Sequence, residues 1–182
     1  MKSKLLRFFL LLGLAFSFNS CKKNPTAFSF SHDYVTTTVE VWPTSSSGDM
    51  VFTSEEIETD IQSLMAANGL NIDNLNSVKV KSVTLSIIDQ DSVPYTFDIV
   101  SKMETRIGQT TDGTLIKFAG KDPVPATQIT NLSLDVNDLE LIDYFKKTKL
   151  KFELAGHTNA PIDHVFQIQV EMTVGFEGEV IK

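Results

Sequence analysis

The chain has one cysteine, one tryptophan and three tyrosines among its 182 residues. A single thiol excludes any disulfide within the chain, so apolar burial must hold the fold. Catalytic signatures are also missing. There is no Gly-x-Ser-x-Gly elbow for a serine nucleophile and no glycine-rich phosphate loop. Asp89-Gln90-Asp91 offers two carboxylates but lacks the spacing and the distal glutamate of a calcium loop. No apolar run approaches the roughly 20 residues a spanning helix needs. Basic excess is missing too. The formal charge is −7, which argues against nucleic acid, where Lys and Arg must neutralise phosphate.

What is present begins at the N-terminus. Lys2, Lys4 and Arg7 precede an apolar run, Phe8 to Phe18, interrupted by Gly13 and Ser17. Asn19, Ser20 and Cys21 follow. Charge, a short greasy stretch, then small or polar residues is the layout of a cleaved secretory signal. Loss of residues 1–20 would remove three positive charges and no negative ones, taking the formal charge from −7 to −10.

Ser20-Cys21 after that leader resembles the bacterial lipoproteins, in which the cysteine sulfur receives a diacylglycerol and becomes the first residue. Phe18 and Asn19 depart from the family's usual Leu and small residue, so the motif is a relaxed one. The resemblance implies a signal peptide over 1–20 and lipidation at Cys21. It also implies a tether over 21–27 and attachment to the membrane through N-terminal lipid. At least two acyl chains, each methylene contributing about 0.8 kcal/mol, hold such a protein firmly. Lys22 is not acidic, and within the family that points to the outer membrane. No acidic cluster follows the cysteine, which points to a face toward the periplasm.

Residues 28–182 read as one domain of mainly antiparallel strands. The last strand is the clearest. Phe166, Ile168, Val170, Met172, Val174 and Phe176 recur at a period of two, with Gln167, Gln169, Glu171 and Thr173 between them. Val83, Leu85 and Ile87 alternate, as do Leu150, Phe152 and Leu154, and Leu132, Leu134 and Val136. From Phe28 to Trp42 the apolar parity changes, which calls for a bulge or two short strands. Pro43 to Asp49 reads as a turn cluster.

Thr53-x-x-Glu56 has the form of a capping box. Ile57, Ile61, Leu64 and Met65 behind it fit one helix face, ending at Asn68-Gly69. Asn137 is placed to cap a second short helix carrying Leu139, Leu141, Ile142 and Phe145. Asp112-Gly113 reads as a hairpin turn before Leu115 to Ala119. The expectation is a β-sandwich of seven to eight strands with two short helices in connections, a closed barrel being the alternative. Segments 83–87 and 132–145 and the last strand look similar to small bacterial β-sandwich lipoproteins, a resemblance that carries no known activity.

Candidate sites are few. His157 and His164 flank a turn and, with Asp163, could meet as metal ligands. The plainer reading is two exposed loop histidines. Asp135, Asn137 and Asp138 form an acidic patch that helix capping explains without an ion. Trp42, Tyr34, Tyr95 and Tyr144 could form a sugar-stacking shelf, with Trp42 the strongest of them, although scattered aromatics usually belong to cores. The residues therefore favour a domain without catalysis, cofactor or metal. It would bind or scaffold a protein or glycan partner in the envelope. A carrier of a small hydrophobic ligand or glycan is the alternative, and a hydrolase comes behind both.

Overall fold

A computed structural model describes residues 25–35, 38–88, 95–109 and 113–181. Its strands form two antiparallel sheets. They are β1 (Pro25–Val35), β2 (Val39–Val41), β3 (Gly48–Glu58), β4 (Leu75–Ile88) and β5 (Val100–Gly108). Then come β6 (Leu115–Lys121), β7 (Asn131–Ser133), β8 (Asp135–Val136), β9 (Lys149–Thr158) and β10 (Phe166–Ile181). Helices α1 (Ile61–Ala67) and α2 (Ile142–Phe145) lie in connections. Sheet I has the order β1-β10-β4-β7, with β2 also on β10. Sheet II has the order β3-β9-β5-β6-β8. The chain passes back and forth between the sheets, so neighbours in space are distant in sequence. With β2 and β8 as additions, this is the eight-stranded double Greek key of a jelly roll.

Alternation builds the core. The six apolar residues of β10 from Phe166 to Phe176 are each at most 3% exposed. Leu150, Phe152 and Leu154 of β9 meet them from sheet II, each at most 1% exposed. Phe97, Phe118, Phe145, Phe152 and Phe176 are all fully buried. Each such ring contributes about 1.5–3 kcal/mol by leaving water.

Ten strands are described where seven to eight were expected, and two segments account for the difference. Thr53 to Glu56 does not cap a helix. It lies inside β3, paired with β9 from Gly48↔Thr158 to Glu58↔Lys149. Pairing along eleven residues of edge outweighs a four-residue local motif. The helix starts later, after Asp60, whose φ of 48° is left-handed and whose side chain makes no cap hydrogen bond. Ile61 and Met65 face the core as expected, and Gly69 (φ 69°) ends the turn. The second segment is Leu132 to Val136. β7 pairs with β4 in sheet I, whereas β8 pairs with β6 in sheet II. The chain changes sheets at Leu134, whose N–H donates to the Val83 carbonyl at 3.0 Å.

Asn137 does not cap α2. Its side chain donates to the Lys117 carbonyl at 3.0 Å. Glu140 serves α2 instead, accepting from the Ile142 N–H at 3.1 Å and the Val78 N–H at 2.7 Å. The parity change between Phe28 and Trp42 is resolved as two strands, β1 and β2, laid end to end along β10. β1 begins at Pro25, three residues ahead of the expected domain start.

Candidate functional site

Alternation also fixes what the outer face of sheet II displays. In β5, Met103, Thr105 and Ile107 point inward and are fully buried. Lys102, Glu104 and Arg106 therefore point outward on one face. Register places them in three cross-strand rows. Asp49, His157 and Lys102 form the first. Val51, Ala155, Glu104 and Gly120 form the second. Ser54, Glu153, Arg106 and Lys117 form the third. Ala155 and Gly120 make the middle row low. A hollow of about 320 Å³ results, lined by Asp49, Met50, Val51, Lys102, Glu104, Arg106, Ala155 and Gly156.

Glu104 lies at its floor, 5% exposed. Arg106 donates to it, Lys102 Nζ stands 3.2 Å away and Lys117 Nζ 3.5 Å away. Arg106 also donates to Glu153 at 2.7 Å. Burial pushes the Glu104 carboxyl upward, but the hydrogen bonds and charges of Lys102 and Arg106 outweigh it and hold the pKa below the usual glutamate value. At the rim, His157 Nδ1 lies 2.9 Å from Asp49 Oδ1. That hydrogen bond, together with the nearby imidazole, lowers the Asp49 pKa. Three cations thus stand over two carboxylates, fixed by ion pairs, on an open surface. Val51 beside them is 53% exposed. The arrangement suits recognition of an anionic or polar group. The Glu104 carboxylate is held ionised among cations, which is the opposite of what a general acid needs.

The clusters weighed as alternative ion sites separate. His157 engages Asp49, while His164 Nδ1 lies 2.8 Å from Asp163 Oδ1. Among the described residues, no group of three or more His, Cys, Asp or Glu side chains is placed to hold a metal. Asp163 and the N–H groups of Asp163 and His164 gather on the Tyr95 hydroxyl, and the Tyr95 ring stacks on His164 at 4.1 Å. This knot pins the turn before β10. Asp135 lies 3.0 Å from Lys121, and Asp138 lies 2.6 Å from Lys79, so the second acidic patch divides between two lysines.

The aromatics are not gathered into one shelf. Tyr34 packs on His32 and Phe145 and donates to the Thr59 carbonyl at 2.7 Å. Burial, with the Asp60 carboxylate adding to it, pushes the Tyr34 pKa well up. Tyr95 packs on His164 and Phe166. Tyr144 is half-buried on α2. Trp42 is 63% exposed at the end of β2. Cys21 and Asp89 to Asp91 lie outside the described residues.

The Glu104 cluster was missed by reading the sequence for motifs. Its signal was Lys102-x-Glu104-x-Arg106, three charges on one strand face. Lys117 and Glu153 join only through pairing.

No protein-family profile matches the chain. No curated protein matches it in sequence. Among solved structures it is similar to a chain of Desmodium yellow mottle tymovirus, at 8% identity and TM-score 0.31, over 87% of this chain and 85% of that one. It is also similar to a chain of Mud crab tombus-like virus, at 8% identity and TM-score 0.34, over 95% and 99%. A turnip yellow mosaic virus chain matches at 6% identity and TM-score 0.30, over 87% and 98%.

Proposed function

We propose that this is an exported envelope lipoprotein, held by acyl chains on Cys21, whose jelly-roll domain binds or scaffolds without catalysis. The observation that carries the reading is the leader: Lys2, Lys4 and Arg7, the apolar run Phe8 to Phe18, then Ser20-Cys21. The first strand starts at Pro25, so three residues, Lys22, Lys23 and Asn24, separate it from the thiol. At about 3.3–3.6 Å per residue, the domain would ride close against the bilayer. By the family's sorting pattern, this is the outer membrane on its periplasmic side.

Two further observations support binding over carriage or catalysis. The space between the sheets is filled by Phe97, Phe118, Phe152 and Phe176, and the 320 Å³ hollow lies outside the sandwich, on sheet II. The charges of that hollow are paired, which suits a fixed contact surface for a protein or glycan in the envelope. The mature domain's net charge of −10 fits no nucleic-acid partner.

Intact mass of membrane-extracted protein tests the anchor. Wild type should begin at Cys21 and carry diacylglycerol and acyl mass. Cys21→Ala should carry none and leave the membrane fraction. A wild-type protein with no acyl mass that washes out of the envelope would overturn the proposal.

A further inference from the structure

Sheet I has an open side. Among the described residues, β1 pairs with β10 along one edge and with no strand along the other. Such an edge is a row of unpaired N–H and C=O groups, a template for another strand. Eleven residues make it long. Its inner-face side chains Phe28, Phe30 and Tyr34 are only half-buried. Phe28 stacks on Phe30, and Phe30 stacks on Phe176 at 5.1 Å, so an aromatic row continues from the core out to the rim.

The edge of sheet II is built differently. β3 carries Asp49, Glu55, Glu56 and Glu58 and has a register break between Val51 and Thr53. Clustered charge of one sign and a break in pairing both discourage strand addition. β1 has one acidic residue, Asp33, and its pairing with β10 is unbroken from Pro25 to Val35.

We infer that the β1 edge is a self-association surface, on which β1 of a second copy of this chain pairs antiparallel to extend sheet I across two molecules. The sequence of β1 suits a two-fold axis. Centred on Phe30, the pairing sets Phe30 against its own copy and Phe28 against His32. Ser29 then meets Ser31, and Asp33 meets Ala27. No like charges face each other, and every inward side chain stays on the inner face. Such an interface is isologous and closes at two copies. The inference does not rest on Cys21.

Sedimentation of the purified full-length protein in detergent tests it. Wild type should be a dimer. Ser29 and Ser31 are exposed on the outer face, so Ser29→Lys with Ser31→Lys should leave the fold intact by circular dichroism. It should raise the dissociation constant tenfold or more by placing lysine opposite lysine. Ser29→Glu with Ser31→Glu should do the same. An equal mixture of the two variants should recover a dimer containing one of each, by native mass spectrometry. Two chains sharing a micelle would not respond in this way. Ser54→Lys, on the β3 edge, should remain dimeric. A monomeric wild type, a lysine variant that still dimerises, or a mixture that forms no mixed dimer would each overturn the inference.

Discussion

At the residue scale, the outer face of sheet II depends on one carboxylate. Glu104 is surrounded by Lys102, Arg106 and Lys117, so its removal leaves three cations close together. Glu104→Gln should cost about 1.5–3 kcal/mol in chemical denaturation, the range for hydrogen bonds to charged groups. The pH dependence has a definite sign. The pKa of Glu104 is lower in the folded protein than its ordinary value of 4.5. Its stabilising contribution is therefore present above that value and is lost as pH falls through the folded pKa. Thermal midpoints measured from pH 6 down to pH 3 should fall less steeply in Glu104→Gln than in wild type. An identical slope would remove Glu104 from the account. Reading the sequence missed this residue because a strand of alternating charges looks like an ordinary solvated face until β6 and β9 supply Lys117 and Glu153. The two histidines show the converse. His157 and His164 are close in sequence, yet pairing sends His157 to Asp49, 108 residues away.

At the element scale, the strongest local signals gave the right elements where burial has one consistent face. β10 alternates over its length because one side packs on sheet II and the other faces solvent. The capping-box reading failed because Thr and Ile suit strands as well as helices, and the choice fell to β9, more than 90 residues away in sequence. Leu132, Leu134 and Val136 alternate as expected, but no periodicity could reveal that their chain changes sheets midway. Bulges were equally invisible. β10 shifts register against β4 between Glu177 and Gly178. A Cβ at Gly178 would collide with the Asn74 carbonyl and the Phe28 ring. Gly178→Ala should therefore cost about 1–3 kcal/mol, as overpacking does. Equilibrium urea unfolding checks it; a change under 0.5 kcal/mol would show that β1 and the 72–74 turn yield easily.

At the scale of the whole molecule, an all-β sandwich was legible from strand number and turn spacing, whereas the jelly-roll order was not. Order is set by which strands meet, and here partners lie far apart in sequence. β10 is the hub. It pairs with β1, β2 and β4, so it lies inside sheet I and not at its rim. A chain ending before Phe166 should lose sheet I altogether and show no cooperative thermal transition by circular dichroism. Retention of a sharp transition would mean that sheet II folds alone.

The pairing of Pro25 with Ile181 has a consequence for biogenesis. The first strand to be synthesised cannot find its neighbour until the last has been made. Non-local pairing of this kind is slow and leaves edges exposed meanwhile. An exported chain with this topology would cross the inner membrane unfolded, its leading strand already across and waiting for its tail. For a chain exported as proposed, a holding chaperone, or the delay itself, would then govern whether the protein is completed or lost.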